Sequence, residues 1–357
     1  MTGFAVQGAA VRSLGERWLR ELGAAEDGDF VCSPAGLWLA LGAVAAGARG
    51  ATAEELRALL GVAGDGAAEA VTEGARALAA TDALAVASRV WTRVPVYEAY
   101  RAALPDIGFG PMDEGEMDAW VREMTGGLVE KLPIRLDGSI ELALVNALAL
   151  KAYWETPFEA SFTRDLPFTD ASGVRHQVPT MRRRVPVRDA WRVGEAYVVE
   201  LRTEGAGARV RFVLGAEGAS APEVLAAGWA ERGEGIAADV VSVALPRFSL
   251  RTKIDVMEQL PALGVELATG DSADFLGMSP VPLKIEQVAQ EAVVKVAEKG
   301  IEAAAVTVVA MARAAGPPPP ERVEHIAFDR PFGVVVLDGS GEVPLFAGWR
   351  ASAPTEG

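Results

Sequence analysis

An α+β fold is predicted for this 357-residue chain by two features: a helical pattern over roughly the first 130 residues and a strand-rich pattern after about residue 140. A third observation concerns the end. The tract Pro317–Pro320 has only 37 residues after it, and these alternate like strands. That remainder is too short for a domain and too patterned for a tail, so it is expected to pack back into a single domain spanning 1–357.

The helical part reads element by element. Val11, Leu14, Trp18 and Leu22 recur at three- and four-residue steps, the stripe of an amphipathic helix. Ser33 is placed as an N-cap with Pro34 at the first helical position, the helix stopping near Gly47 and Gly50. In "TAEELRALLG", Thr52 and Glu55 have capping-box spacing and Gly61 ends the helix. Residues 83–91 read as a strand, and "MDAWVREMTGGLVEKL" as helix, Gly pair, helix.

The second part contains "ELALVNALALKAYW", "AYVVELRT", "ARVRFVL", "VVSVALPRFSLRT", "EAVVKVAEKG" and "FGVVVLDG". All are β-branched runs bounded by turn residues. "GAGAR" at 205–209 is read as a hairpin turn.

Composition narrows the function classes. Half the residues are hydrophobic, which supports a real core, and 49 acidic against 34 basic residues give a net charge of −15. So acidic a chain is not expected to take nucleic acid or an anionic membrane as its partner. Cys32 is the single cysteine, so no internal disulfide can form, and an inert buried thiol is expected. No signal-peptide pattern and no apolar run of spanning length is seen, which makes cytoplasmic residence the default expectation and leaves unconventional export open. His176 and His325 are the only histidines, and no metal, phosphate-loop or nucleophile motif accompanies them. Neither enzymatic chemistry nor a cofactor is expected. "MRRRVPVR" at 181–188 is a possible polyanion site, with a solvated surface strand or loop the preferred reading. Ala- and Gly-rich usage with one Asn points to a GC-rich bacterial coding sequence.

The stretch "EKGIEAAAVTVVAMARAAGPPPP" at 298–320 poses the main question. Its uncharged run Ala303–Ala312 has the composition of an aggregation-prone strand, yet it ends at a proline tract where pairing must stop. Its neighbours supply a reading. "FVCSPAGLWLALGAVAAGARGATAEELRALLG", "DAWVREMTGGLVEKL", "LVNALALKAYWETPFEASFTRDLPF", "VSVALPRFSLRTKIDVMEQLPALGV", "SADFLGM" and "AFDRPFGVVVLDGSGEVPLFAGW" resemble, in colinear order, segments of the serpin family.

The resemblance implies helices packed on a large mixed sheet, two smaller sheets and an exposed reactive-centre loop at about 298–320. It also implies a single-use trap for a serine protease: the loop is cut, then inserts as a central strand and carries the acylated protease with it. The hinge would be Glu298, Lys299, Gly300, Ile301, Glu302, Ala303, Ala304 and Ala305. Gly300 is expected to bend, and Glu298 with Lys299 to keep the approach soluble. Alternation turns Ile301, Ala303 and Ala305 inward, and Glu302 and Ala304 outward. Ile301 stands where Thr or Ser is usual in the family, and its bulk is expected to slow early insertion without forbidding it.

The family's spacing puts the cut between Ala314 and Ala315, with the bond after Arg313 as the alternative. Ala suits an elastase-like or subtilisin-like protease and Arg a trypsin-like one. The sheet-opening region would contain Ser33, Asn146, Trp154 and Gln290, thinned by Gly36 and Gln290 where the family often has Ser and His. The molecule would act as a monomer with a risk of loop–sheet polymerisation. The second reading is a non-inhibitory binding or chaperone-like protein of the same fold that inserts poorly.

Overall fold

The structure is a computed structural model that describes residues 7–25, 28–80, 84–125, 127, 130–131, 140–150, 152–205, 207–301 and 321–354. The helix Gly8–Ala25 buries the stripe read from the sequence: Val11, Leu14 and Trp18 are fully buried and Leu22 nearly so. The helix Pro34–Ala45 is buried along its whole length, because every one of its residues is apolar or glycine. Ser33 caps it as expected, its Oγ accepting the Gly36 N–H at 3.1 Å.

The next helix begins earlier than its sequence pattern indicates. It spans Gly50–Leu60 with Arg49 at the N-cap, so Thr52 and Glu55 lie inside it and form no capping box. Both have been taken by distant backbone: Thr52 Oγ1 accepts the Asp274 N–H, and the Glu55 carboxylate accepts those of Glu266, Leu267 and Ala268. A helix at Ala221–Trp229, absent from the sequence reading, carries the capping box instead, between Ser220 and Glu223.

Among the described residues the strands form three sheets. An antiparallel sheet runs in the order Phe30–Cys32, Pro344–Arg350, Phe332–Leu337, Arg209–Leu214, Ala196–Arg202, Ala190–Val193 and Glu234–Gly235. It has seven strands, all shorter than the long strands of the main sheet. The smallest sheet has four strands, in which Val323–Ala327 lies parallel to Val240–Pro246, followed by Arg175–Pro186 and Arg164–Thr169. The residues beyond the proline tract thus supply one edge strand here and two strands well inside the antiparallel sheet. Phe212, Phe248, Phe328 and Phe332 join the sheets through edge-to-face contacts with ring centroids 5.3 to 6.3 Å apart.

The main sheet is mixed. Its order is Gly108–Pro111, Leu84–Thr92, Leu142–Leu150 and Gln287–Ala297, with Phe248–Asp255 antiparallel beyond. Its central pair, Leu142–Leu150 and Gln287–Ala297, is parallel, with Gln287 opposite Ala143 and Val293 opposite Ala149. The alternation of these strands splits the core. Leu142, Leu144, Val288, Ala292 and Val294 join the large cluster containing the helix Pro34–Ala45, whereas Ala143, Val145, Ala289 and Val293 pack with Met117 and Val121 of the helix Glu114–Met124. The helix Glu114–Met124 and both strands of the central pair thus share one buried cluster.

Candidate functional site: a seam in the main sheet and the hinge at its mouth

The seam between Leu142–Leu150 and Gln287–Ala297 is closed by backbone pairing along seven register positions, from Gln287 to Val293. At its upper end a short extra strand, Gly300–Ile301, stands between the two sides. It pairs antiparallel with Val296 and Ala297 on one side and with Ala152 and Tyr153 on the other. The chain therefore turns back at Glu298–Lys299 and enters its own sheet for two residues.

Each residue of this turn is held. Lys299 O accepts the Trp154 N–H at 2.9 Å and Glu298 O that of Phe158 at 2.7 Å. The buried Trp154 indole N–H donates to Ala297 O at 3.0 Å, so it grips the end of the strand from which the hinge departs. Gly300 is required by close approach: a Cβ there would lie 1.9 Å from Ala152 O and 2.8 Å from Tyr153 Cα. Ile301 is fully buried in the large cluster, so the side chain expected to obstruct entry is already accommodated.

The expectation for Glu298 needs correction. Rather than keeping a free approach soluble, it is 8% exposed, and its Oε1 accepts from the Arg247 guanidinium (Nε at 2.7 Å) and from Thr163 Oγ1 at 2.6 Å. Burial pushes its pKa up, but the bonds from Arg247 and Thr163 outweigh that, and the net shift is below the ordinary glutamate value. A buried carboxylate demands such partners, and Arg247 is positioned to provide them at the start of Phe248–Asp255. Sequence reasoning missed Arg247 and Thr163; a charged residue in a hinge that folds into a sheet was the available signal.

In the body of the seam, Ser88, Asn146, Gln290 and Ile254 form one row across the main sheet. Asn146 Nδ2 donates to Ser88 Oγ at 2.7 Å. Gln290 turns to Ser33, accepting its N–H at 2.6 Å and donating to its carbonyl at 3.0 Å, while Ser33 Oγ donates to Leu345 O at 2.6 Å. Gly36 contributes only its backbone N–H, to Ser33 Oγ. The polar contacts of Asn146 and Gln290 thus anchor each side of the seam to its own neighbour. Asn146 Oδ1 is buried without a partner.

Glu302, Ala303, Ala304, Ala305, Arg313, Ala314 and Ala315 lie outside the described residues, as does the rest of 302–320. The chain is described again at Glu321, whose carboxylate meets Arg184 Nη1 at 2.9 Å beside the four-stranded sheet. Cys32 is fully buried, which pushes its thiol pKa well up and makes it a poor nucleophile. "MRRRVPVR" lies mostly in the strand Arg175–Pro186, with Arg182 and Arg184 exposed and Met181 and Val185 buried.

Comparison with known proteins agrees with this architecture. The family model described as Serpin (serine protease inhibitor) matches residues 9–353. Alpha-1-antiproteinase S of Cavia porcellus is 29% identical over 253 residues, 68% of this chain and 59% of that protein, so the match spans less than two thirds of its length. Iripin-2 of Ixodes ricinus is 28% identical over 342 residues, covering 87% of this chain and 86% of that one. The crystal structure of Serpin48 from the insect Tenebrio molitor, titled a highly specific serpin, superposes with a TM-score of 0.84 at 26% identity, covering 97% of this chain and 98% of that one. These relatives are animal proteins, and the bacterial origin read from composition finds no support among them. With nearly its whole length matched by the family model, the chain belongs to the serpin family.

Proposed function

We propose that the protein is a suicide-type inhibitor of a serine protease, elastase-like or subtilisin-like by preference, that is spent in a single turnover. One observation carries this reading: Gly300–Ile301 already occupies the first two positions of an additional central strand, paired on both edges. The next residues, from Glu302 onward, need only continue along the same line once the loop is cut.

The energetics favour that continuation. Inserting a strand breaks the one backbone ladder of the seam and makes two. A net gain of roughly ten hydrogen bonds at about 0.5–1.5 kcal/mol each is available, before apolar burial is added. While uncut, the loop is tied at both ends, by the hinge and by the Glu321–Arg184 contact, which opposes full entry. The protein acts as a monomer, and entry of a second copy's loop into the seam is its characteristic failure.

Incubation with elastase, subtilisin and trypsin tests the reading. The expected result is a protease complex stable to SDS, a released C-terminal peptide beginning at Ala315 or Ala314, and a higher unfolding temperature of the cleaved chain. Cleavage that neither traps protease nor stabilises the chain would instead identify a non-inhibitory member of the fold.

A further inference from the structure

A buried carboxylate lies beside the seam with one of its oxygens unsatisfied. Glu291, in the strand Gln287–Ala297, is fully buried on the face it shares with Ala289 and Val293, which pack with the helix Glu114–Met124. Its Oε1 accepts from Arg251 Nε at 2.7 Å, with Arg251 Nη2 also 2.7 Å away. Its Oε2 has no hydrogen-bond partner. The Lys253 ammonium, directly across the strand pair, stands 3.7 Å from that oxygen and donates instead to Lys131 O at 3.3 Å. Both distances exceed the roughly 2.9 Å of a well-formed bond, so the lysine stands between two acceptors and close to neither.

The two acceptors belong to parts of the molecule that an inserting strand moves apart. Glu291 and Lys253 sit in one antiparallel pair, on the Gln287–Ala297 side of the seam. Lys131 follows the helix Glu114–Met124, and its neighbour is tied to that helix, Glu130 O accepting from Arg122 Nη2 at 3.4 Å. From there the chain leads to Leu142–Leu150, the opposite wall of the seam. The helix shares its buried cluster with Ala143 and Val145 of one wall and with Ala289 and Val293 of the other. Adding a strand separates the walls by about 4.8 Å, so the helix cannot keep both sets of contacts.

We propose that Lys253 is a two-position latch that governs opening of the seam, a proposal that rests on the inhibitory reading for its use. With the seam closed, the ammonium holds Lys131 O and leaves the buried Glu291 oxygen short of a donor. When the walls part, Lys131 O moves off with the helix and the ammonium shifts by about 1 Å onto Glu291 Oε2, where it completes a charge-assisted pair. The closed state thus carries an unsatisfied buried acceptor that opening relieves, and the relief favours entry of a strand. A simple brace would act in the opposite sense, since removing its bond would free the seam.

The test uses the full chain, first without protease. Opening is read from hydrogen exchange of the amides at 143–149 and 287–293, the two walls of the seam. Lys253→Met keeps an apolar stem and removes both contacts, and it is expected to slow this exchange about tenfold. Glu291→Gln, which keeps the shape but not the charge, should slow it to a similar extent. The double variant should be no slower than either single one, because the two residues act as a pair. A general loss of stability speeds exchange, so a weakened fold cannot imitate this result. Faster exchange in Lys253→Met would make the lysine a brace and unchanged exchange would make the contact incidental, and either overturns the latch. Incubation with elastase, subtilisin and trypsin then separates the two readings. Lys253→Met should divert more of the chain to cleaved, unattached product. Slowed exchange with no covalent complex, even from the unaltered chain, supports the latch and removes the trap. A covalent complex together with unaltered exchange in every variant overturns the latch and leaves the trap.

Discussion

Gln290 holds Ser33 by both ends of its amide, accepting the serine N–H at 2.6 Å and donating to its carbonyl at 3.0 Å. This joins the middle of one seam strand to the start of the buried helix Pro34–Ala45, with both residues essentially inaccessible to water. The family's more usual His at this position could not reproduce the pair of bonds from one amide.

Gln290→Ala would orphan the buried Ser33 N–H, while the Ser33 carbonyl would keep the Leu37 N–H at 3.1 Å. A loss of about 1–3 kcal/mol is expected, the cost of one orphaned buried group. Urea unfolding should show a lower midpoint with an unchanged slope.

The Glu298–Arg247 contact makes the hinge sensitive to acid. The folded-state pKa of Glu298 lies below its ordinary 4.5, so its stabilising contribution is fully present above that value and is lost as pH falls through the lowered one. Glu298→Gln should flatten stability against pH in that window. Arg247→Met, which strands the carboxylate, should cost about 3–5 kcal/mol near neutral pH. Unfolding midpoints measured from pH 3 to 7 check both.

Gly300→Ala places a methyl group against Ala152 O and Tyr153 Cα, so the two-residue strand cannot stay between its neighbours. The expected outcome is expulsion of Gly300–Ile301 with the rest of the fold retained. Loss of hydrogen-exchange protection at the Ile301 amide would report it.

Ile301 faces inward, and alternation carries that face to Ala303 and Ala305 and the opposite face to Ala304. Ala305→Arg is expected to abolish the SDS-stable protease complex and turn the chain into a substrate, because a buried unpaired guanidinium costs several kcal/mol. Ala304→Arg should impair the complex less than Ala305→Arg does. Equal loss in both would mean a different register.

Thr52 and Glu55 show where sequence reading stops. Their spacing suits a capping box, and the end of that helix at Gly61 was legible because a left-handed C-cap glycine acts locally. The side chains themselves went to Asp274 and to residues 266–268, more than 200 positions away. The strand Arg175–Pro186 was hard to recognise for a related reason: its outward positions are arginines, and its β-character comes from pairing on both sides.

Periodicity, capping at Ser33 and the colinear segments were enough to place the helices Gly8–Ala25, Pro34–Ala45, Gly50–Leu60 and Glu114–Met124 and the principal strands, since each depends on residues within a few positions of one another. The partners across the fold were decided elsewhere. Arg247 lies 51 positions from Glu298, Ser33 lies 257 from Gln290, and entry of Gly300–Ile301 into the sheet depends on the space beside Ala152. Backbone alternation assigns a side chain to a face. Only the packed molecule determines what waits there, because a buried charge or amide takes whichever partner the assembled core brings within hydrogen-bonding distance.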